Sequence, residues 1–295
     1  MRRAGLAALG PVLGLAACAT APVAPMARPP ATVAPAQIAP GVQYLYGSAE
    51  GAAISIQAWN ALVAYAAGQV RARPRDSVVL AEGATLAAPA WESCGDKPFA
   101  AVFDVDETVL LNLGYEADDA QHPGRAFDAA RWDRWERTGM GKVAPVPGAR
   151  DALAALRAMG VTVVFNTNRA AKNAAETVAT IEGAGLGPAK HKDTLYLAGD
   201  DNTGSAKDVR RWWIADRFCV IAMGGDQLGD FSDLFNAISN PAARRAAASQ
   251  PAIARLWGAG WFVLPNPVYG TALKGGLDDI FPADKRWPDP GARKE

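Results

Sequence analysis

The sequence predicts an α/β fold: a five-stranded parallel sheet flanked by helices, with a small helical cap. Three observations predict it. Short runs of β-branched and aromatic residues alternate with helical stretches of about ten to fifteen residues, the signature of βαβ units. Small polar and acidic residues follow the strands, where such sheets bind ligands. The chain has 295 residues, of which 50% are hydrophobic, enough for one large core or a core with an appendage.

The elements follow in order. Tyr44–Arg71 carries apolar residues at helical spacing and no proline, so it reads as one or two helices. Within the less regular Arg73–Trp91, Ala81–Ala90 reads as helical. Ala100–Asp104 is the first strand, and Val109–Val143 is irregular apart from a short helix holding Trp132 and Trp135. Pro147-Gly148 starts a helix that Gly160 closes after Met159. Val161–Phe165 is the second strand, Ala171–Glu182 a helix, Thr194–Leu197 the third strand and Ser205–Ile214 a helix. Phe218–Met223 is the fourth strand, Phe231–Trp257 is mostly helical, and Trp261–Leu264 is the fifth strand. The arrangement is Rossmann-like. The cap is expected from about 41–92, the N-terminal helices, and 109–144; the core is expected from about 98–108 and 145–270.

The first forty residues are not globular sequence. Arg2 and Arg3 precede the apolar run Ala4–Ala17, a charged segment followed by a hydrophobic one of secretory type, too short to span a bilayer. It ends in Leu15-Ala16-Ala17-Cys18, which resembles a bacterial lipoprotein cleavage box. Residues 1–17 are thus expected to be a signal peptide, and Cys18 the lipidated residue that anchors the chain to a membrane. Ala19–Pro40 holds six prolines in 22 residues and should be an extended tether. Ala19 after the cysteine points to the outer membrane of a bacterial envelope. Lys+Arg and Asp+Glu are both 30, so nothing suggests a nucleic-acid partner. With only His122 and His191 and no Cys/His cluster, a zinc site is not expected.

"VFDVDETVL", residues 102–110, carries the chemistry. A buried strand runs into Asp104, Asp106 and Glu107, and burying a carboxylate is costly unless it is paired or bound to a metal. Alternate residues of a continuing strand would point to opposite faces, so the chain must turn directly after Asp104. Thr167, Asn168 and Arg169 follow the second strand; Asp226 and Asp230 follow the fourth. Several carboxylates within a few ångströms raise each other's pKa, and a hard divalent cation with oxygen ligands relieves them. Asp200-Asp201 follows no motif and reads as a solvated turn; Glu107 is left out of the site, and Arg169 is read as either a phosphate ligand or a structural ion pair.

"VFDVDETVLLNLGY" at 102–115 resembles the first motif of the haloacid dehalogenase-like phosphohydrolases, in particular the class C ("DDDD") bacterial acid phosphatases, which are lipoproteins. "FNTNR" at 165–169, "SAKDVRR" at 205–211 and "IAMGGDQLGDF" at 221–231 are similar to the family's later motifs. "YLYGSAEGAAISIQAWNAL" at 44–62 and "LPNPVYG" at 264–270 match its flanking segments. Gln227 stands where asparagine is common.

The resemblance implies a phosphoric monoester hydrolase. Asp104 would be the nucleophile, forming an aspartyl-phosphate, and Asp106 the general acid and then base. Thr167 would bind the phosphoryl oxygens and Lys207 neutralise charge. Asp104, Asp226 and the backbone carbonyl of Asp106 would hold Mg²⁺, with Asp230 on a metal-bound water or on Lys207. Asn168, Trp132, Trp135 and Tyr269 would contact substrate, the three rings as candidates to clamp a nucleobase. The partners implied are small phosphomonoesters, nucleoside monophosphates among them; a homodimer is left open. In the implied fold, Cys94 lies just before the first strand and Cys219 opens the neighbouring fourth, both at the edge opposite the site, and they are expected to pair. A non-catalytic binding lipoprotein is the alternative, but it should have lost Asp104, Asp106 or Lys207, and none is lost.

Overall fold

The computed structural model describes residues 38–289 and 291. The expected signal segment, Cys18 and all but the last residues of the tether lie outside them. The described chain forms one compact unit. Its elements are α1 (Pro40–Gly47), α2 (Ala49–Ala72), β1 (Asp76–Leu80), β2 (Trp91–Ser93), β3 (Phe99–Phe103), β4 (Leu110–Leu111), α3 (Leu113–Ala120), α4 (Ala129–Thr138) and β5 (Ala144–Pro145). There follow α5 (Ala149–Ala158), β6 (Thr162–Ala170), α6 (Ala174–Gly183), β7 (Leu195–Ala198), α7 (Asp208–Arg217), β8 (Cys219–Gly225), α8 (Pro241–Ala248), α9 (Pro251–Ala254), β9 (Trp261–Val263) and α10 (Leu277–Ile280).

The central sheet has the order β7-β6-β3-β8-β9, and every pairing in it is parallel. The chain lays down β3, β6 and β7 to one side, then β8 and β9 to the other. The order therefore reverses at β3, whose carboxyl end is the topological switch point where such sheets bind ligands.

Alternation along β3 divides the core. Phe103 and Ala101 join a cluster with Trp59, Leu62, Leu153 and Phe165. Ala100 and Val102 join one with Val78, Ile214, Phe231 and Trp261. Both faces of the sheet are thus covered, as parallel sheets require. The Trp59 ring lies 5.2 Å from that of Phe103, which ties α2 to the strand that ends in Asp104. The N-terminal helices meet both parts of the molecule: α2 runs along α5, β8 and β9, and α1 touches α3.

Four local expectations are corrected. Ala81–Ala90 is not helical but the loop of the antiparallel β1–β2 hairpin; Gly83 sits at φ +79°, and Pro89 closes the loop. The span 109–143 holds a second helix, α3, begun at Asn112. Phe231–Trp257 breaks into a 3₁₀ turn and the short helices α8 and α9, because Pro241 and Pro251 each restart the chain at a first helical position. Asp200-Asp201 is not solvated: both side chains are 2% exposed, paired with His191 and Arg210.

Cys94 and Cys219 form a disulfide, with Cα atoms 4.4 Å apart and a sequence separation of 125. It joins the β1–β2 hairpin to the amino end of β8, away from the strand ends that carry Asp104 and Asp226. Closing so long a loop restricts the unfolded chain, which is worth roughly 2–5 kcal/mol. Cys94→Ser with Cys219→Ser should lower unfolding free energy in urea by that order, and dithiothreitol should do the same to the wild type but not to the double variant.

Candidate active site

The strand register sets the site's floor. Phe103 is level with Phe165 on one neighbour and Gly224 on the other, so Asp104, the Asn166–Thr167 step and the Gly225–Asp226 step leave the sheet together. The chain does turn after Asp104: Glu107 is in the left-handed region at φ 56°, and Val109 N and Leu110 N both donate to Val105 O, at 3.0 and 2.9 Å. The turn releases Asp106 from strand alternation. The chain then pairs β4 with β5, between which the cap segment with α3 and α4 is inserted. Gly225 is required by close approach, since a Cβ there would lie 2.3 Å from Asp230 Cβ. This glycine lets the loop after β8 fold back and set Asp230 beside Asp226.

Asp104, Asp226 and Asp230 each offer a carboxylate oxygen within 4.8 Å of the others. Lys207, at the start of α7 and 4% exposed, puts Nζ between them. It forms an ion pair with Asp104 Oδ1 and another with Asp230 Oδ1 at 2.7 Å. Its backbone N–H donates to both oxygens of Asp233, at 2.9 and 2.8 Å. Asp226 accepts from Thr108 Oγ1 at 3.2 Å, Gln227 Nε2 at 3.0 Å and Asn266 Nδ2 at 2.7 Å. Gln227 reaches the neighbouring carboxylate with its side-chain amide.

Asp106 has different company. Arg169, 1% exposed, grips it through Nη2 to Oδ1 at 2.6 Å and Nε to both oxygens at 3.1 Å. Asn112 Nδ2 adds a bond to Oδ1 at 2.9 Å. Oδ2 therefore has one partner and a lone pair left. Of the two readings left open for Arg169, the structure shows the ion pair.

Thr167 is fully buried; its Oγ1 accepts from Arg169 N at 3.2 Å. Asn168 lies exposed, bound to Ser205 O and to Arg210 Nη2, each at 3.0 Å, and so ties the end of β6 to the segment leading to Lys207. On the cap, Trp132 lies with its ring 5.0 Å from Tyr115 and 5.9 Å from the Arg169 guanidinium carbon. Trp135 donates from Nε1 to Asn112 Oδ1 at 3.0 Å. Tyr269 is 39% exposed, yet its hydroxyl donates to Glu107 Oε2. The ring is thus open on one side and anchored at its tip.

Four polar residues belong to this network that sequence reasoning did not place there: Thr108, Asn112, Asn266 and Glu107. All four stand inside matched motifs, at 102–115 and 264–270, which was the available signal. Glu107 is 1% exposed and accepts from Tyr46 Oη at 2.7 Å, Asn112 N at 3.1 Å and Tyr269 Oη.

The electrostatics follow from burial. Burial lifts the Asp104 carboxyl, opposed by Lys207 and reinforced by Asp230, Asp226 and Asp106. The Lys207 ammonium loses hydration, but Asp104 and Asp230 more than offset that and hold its proton. Burial, with Asp230, raises Asp226 to about 7; burial, with Asp106, raises Glu107 to about 7. Carboxylates gathered this way, all hard oxygen donors, suit a divalent cation.

Fold and site define an α/β chain with a buried carboxylate cluster at the switch point of a parallel sheet. The chain belongs to the HAD superfamily, subfamily IIIB (acid phosphatases), whose family model matches residues 12–272. It is similar to two solved structures of a class C acid phosphatase from Bacillus anthracis, one with tungstate bound. The TM-score is 0.63 in both cases, at 21% and 22% identity, over 79% of this chain and 84% of that one. It is also 30% identical over 135 residues to acid phosphatase 1 of Solanum lycopersicum, 44% of this chain; the match spans about half, 50%, of the tomato protein.

A cation held by Asp104, Asp226 and Asp230 should stabilise the fold by about 2.7 kcal/mol at a concentration one hundred times its Kd. Thermal melts with and without MgCl₂ should show the gain. Asp226→Asn should remove most of the gain, because it takes away one of the cluster's carboxylates. Equal Mg²⁺ shifts in both proteins would place the cation elsewhere.

Proposed function

We propose that this chain is a Mg²⁺-dependent acid phosphatase that hydrolyses small phosphomonoesters through an aspartyl-phosphate on Asp104. The observation that carries the reading is Lys207 Nζ bridging Asp104 and Asp230 beside the three-carboxylate cluster, at the switch point of the sheet. When bound, Mg²⁺ supplies charge neutralisation to the phosphoryl group and keeps the carboxylates ionised.

An Asp104 oxygen attacks phosphorus while the bond to the ester oxygen breaks. Lys207 and Thr167 offset the charge on the phosphoryl oxygens. Asp106, protonated at this stage, gives its proton to the departing alkoxide. Its Oδ2 is the atom for this, since Oδ1 is engaged by both Arg169 and Asn112. The same carboxylate then takes a proton from the water that attacks the phosphoenzyme, which frees phosphate and restores Asp104.

Nucleoside monophosphates fit as substrates because the Tyr269 ring is open to solvent on one side with its tip fixed. Trp132 and Trp135 face the same loop from the cap through Arg169 and Asn112. The expected leader, Cys18 and the Pro-rich tether support a lipid-anchored protein of the bacterial envelope, facing outward from the cytoplasm. The Cys94–Cys219 bond supports the same reading, since disulfides persist in oxidising compartments.

Phosphate release from p-nitrophenyl phosphate should require Mg²⁺ and stop with EDTA; wild-type protein inert under all metal conditions would favour a binding protein. Asp104→Asn should abolish turnover with the fold intact, whereas Asp106→Asn should be least damaging for esters with good leaving groups. Residual Asp104→Asn activity near wild type would exclude the phosphoenzyme.

Tyr269→Ala should weaken nucleoside monophosphates more than aryl phosphates, by roughly 1–3 kcal/mol for one stacked base. Equal losses in kcat/KM on both substrates would make Tyr269 a purely structural residue.

A further inference from the structure

Asn112 is 1% exposed, and its side-chain amide meets three parts of the chain. Nδ2 donates to Asp106 Oδ1 at 2.9 Å and to Glu107 Oε1 and Oε2 at 3.0 and 3.2 Å. Oδ1 accepts from Trp135 Nε1 at 3.0 Å and Arg169 Nη2 at 3.1 Å. The amide cannot rotate by half a turn, because its oxygen would then face two carboxylates and its NH₂ two donors. Every contact thus fixes the others.

The Trp135 ring is seated just as closely. A Cβ on Gly139 would lie 2.3 Å from it, and one on Gly114 3.0 Å. The Tyr115 ring stands 5.9 Å away. Two glycines, one before and one after the tryptophan, leave the indole only the position that sends its N–H to Asn112. The neighbouring acid holds a second ring: Glu107, bound to the same amide, carries the hydroxyl of Tyr269. Trp135 on the cap and Tyr269 in the 264–270 segment are both wired to the loop that bears Asp106.

We propose that Asn112 is a positioning residue for Asp106, and that Trp135 acts on proton delivery through it. The proposal rests on Asp106 being the general acid. Asn112 occupies Oδ1, with Arg169, and so leaves Oδ2 as the oxygen that meets the leaving group. A leaving group seated against the Trp135 ring holds the indole N–H on Asn112, and Asn112 holds the acid. Recognition at the cap and protonation at the ester are therefore linked by one amide. A misplacement of about one ångström at a reacting group is enough to cost orders of magnitude in rate.

The test uses Asn112→Ala and Trp135→Phe in the mature chain, with kcat read on an alkyl phosphate and on p-nitrophenyl phosphate. Asn112→Ala should lose about tenfold more on the alkyl ester, which needs the proton, than on the aryl ester. Trp135→Phe, which keeps a ring but no N–H, should shift the ratio the same way by a smaller factor. In the double variant the Trp135 effect should vanish, since its route is gone. Equal losses on both esters, or a Trp135 effect that persists in full beside Asn112→Ala, would overturn the proposal.

A second measurement is independent of turnover and of how Asn112→Ala folds. In a ¹H–¹⁵N spectrum the indole signal missing from Trp135→Phe identifies Trp135, and that signal should move in Asp106→Asn. An unmoved signal overturns the linkage even in an inactive protein. Absence of phosphatase activity in the wild type together with a shifted indole signal would instead sink the functional reading and leave the linkage standing.

Discussion

Buried negative charge at one end of the sheet is the constraint on which the rest depends. Asp104, Asp106, Glu107 and Asp226 are each less than a tenth exposed, and the Asp230 side chain is 7% exposed. Among the described residues, the buried cations that pair directly with these five carboxylates are Lys207 and Arg169. Removing ions from water costs several kcal/mol each unless close partners compensate. The chain answers by dividing the acids. Asp104 and Asp230 share Lys207, Asp106 has Arg169, and Glu107 is surrounded by hydroxyl and amide donors. Asp226 has only neutral donors, so it is the acid left most in need of a cation from outside.

That division works only if the loops bearing the acids hold still, and the parallel sheet supplies the floor. Strand ends at equal height bring three loops together, and the reversal of strand order at β3 opens the crevice between them. The disulfide at the far end of β8 keeps charge chemistry and covalent bracing at opposite edges. Burying Phe103 and Phe165 immediately beneath the acids fixes the points from which the loops depart. It also keeps the local dielectric low, which strengthens every ion pair above.

The core was legible because its signals are local. Five runs of β-branched and aromatic residues separated by helices give the sheet, and the matched motifs set Asp104, Thr167 and Asp226 at strand ends and Lys207 at the start of α7. The cap was less so. Its helices are short and carry many charged residues, among them Asp118, Asp119, Arg131 and Arg134, so α3 shows little apolar period. Ala81–Ala90 failed for the opposite reason: five alanines favour a helix locally, but pairing of β1 with β2 overrides so weak a preference. Glu107 was not assignable because its role depends on Tyr46 and Tyr269, 61 and 162 residues away. Asp200 and Asp201 looked solvated by composition, and only the path of α7 brings Arg210 onto Asp201.

Arg210 and its neighbour show how much one helix can organise. Consecutive residues on a helix point about 100° apart, so adjacent arginines address different surroundings. Arg210, fully buried, turns toward β6: it donates to Thr167 O at 2.5 Å, to Asn168 Oδ1 at 3.0 Å and back to Ala206 O at 2.7 Å. Arg211, equally buried, turns toward the loop after β8, donating to Gly229 O at 3.0 Å and Asp230 O at 2.9 Å. Between them, at the helix start, stands Lys207. The residue that neutralises Asp104 and the two loops that must face it are thus fixed by a single turn of α7. Replacing either arginine by a lysine would keep the charge but lose the fork that reaches several carbonyls at once, which is a physical reason for two arginines rather than two lysines in "SAKDVRR".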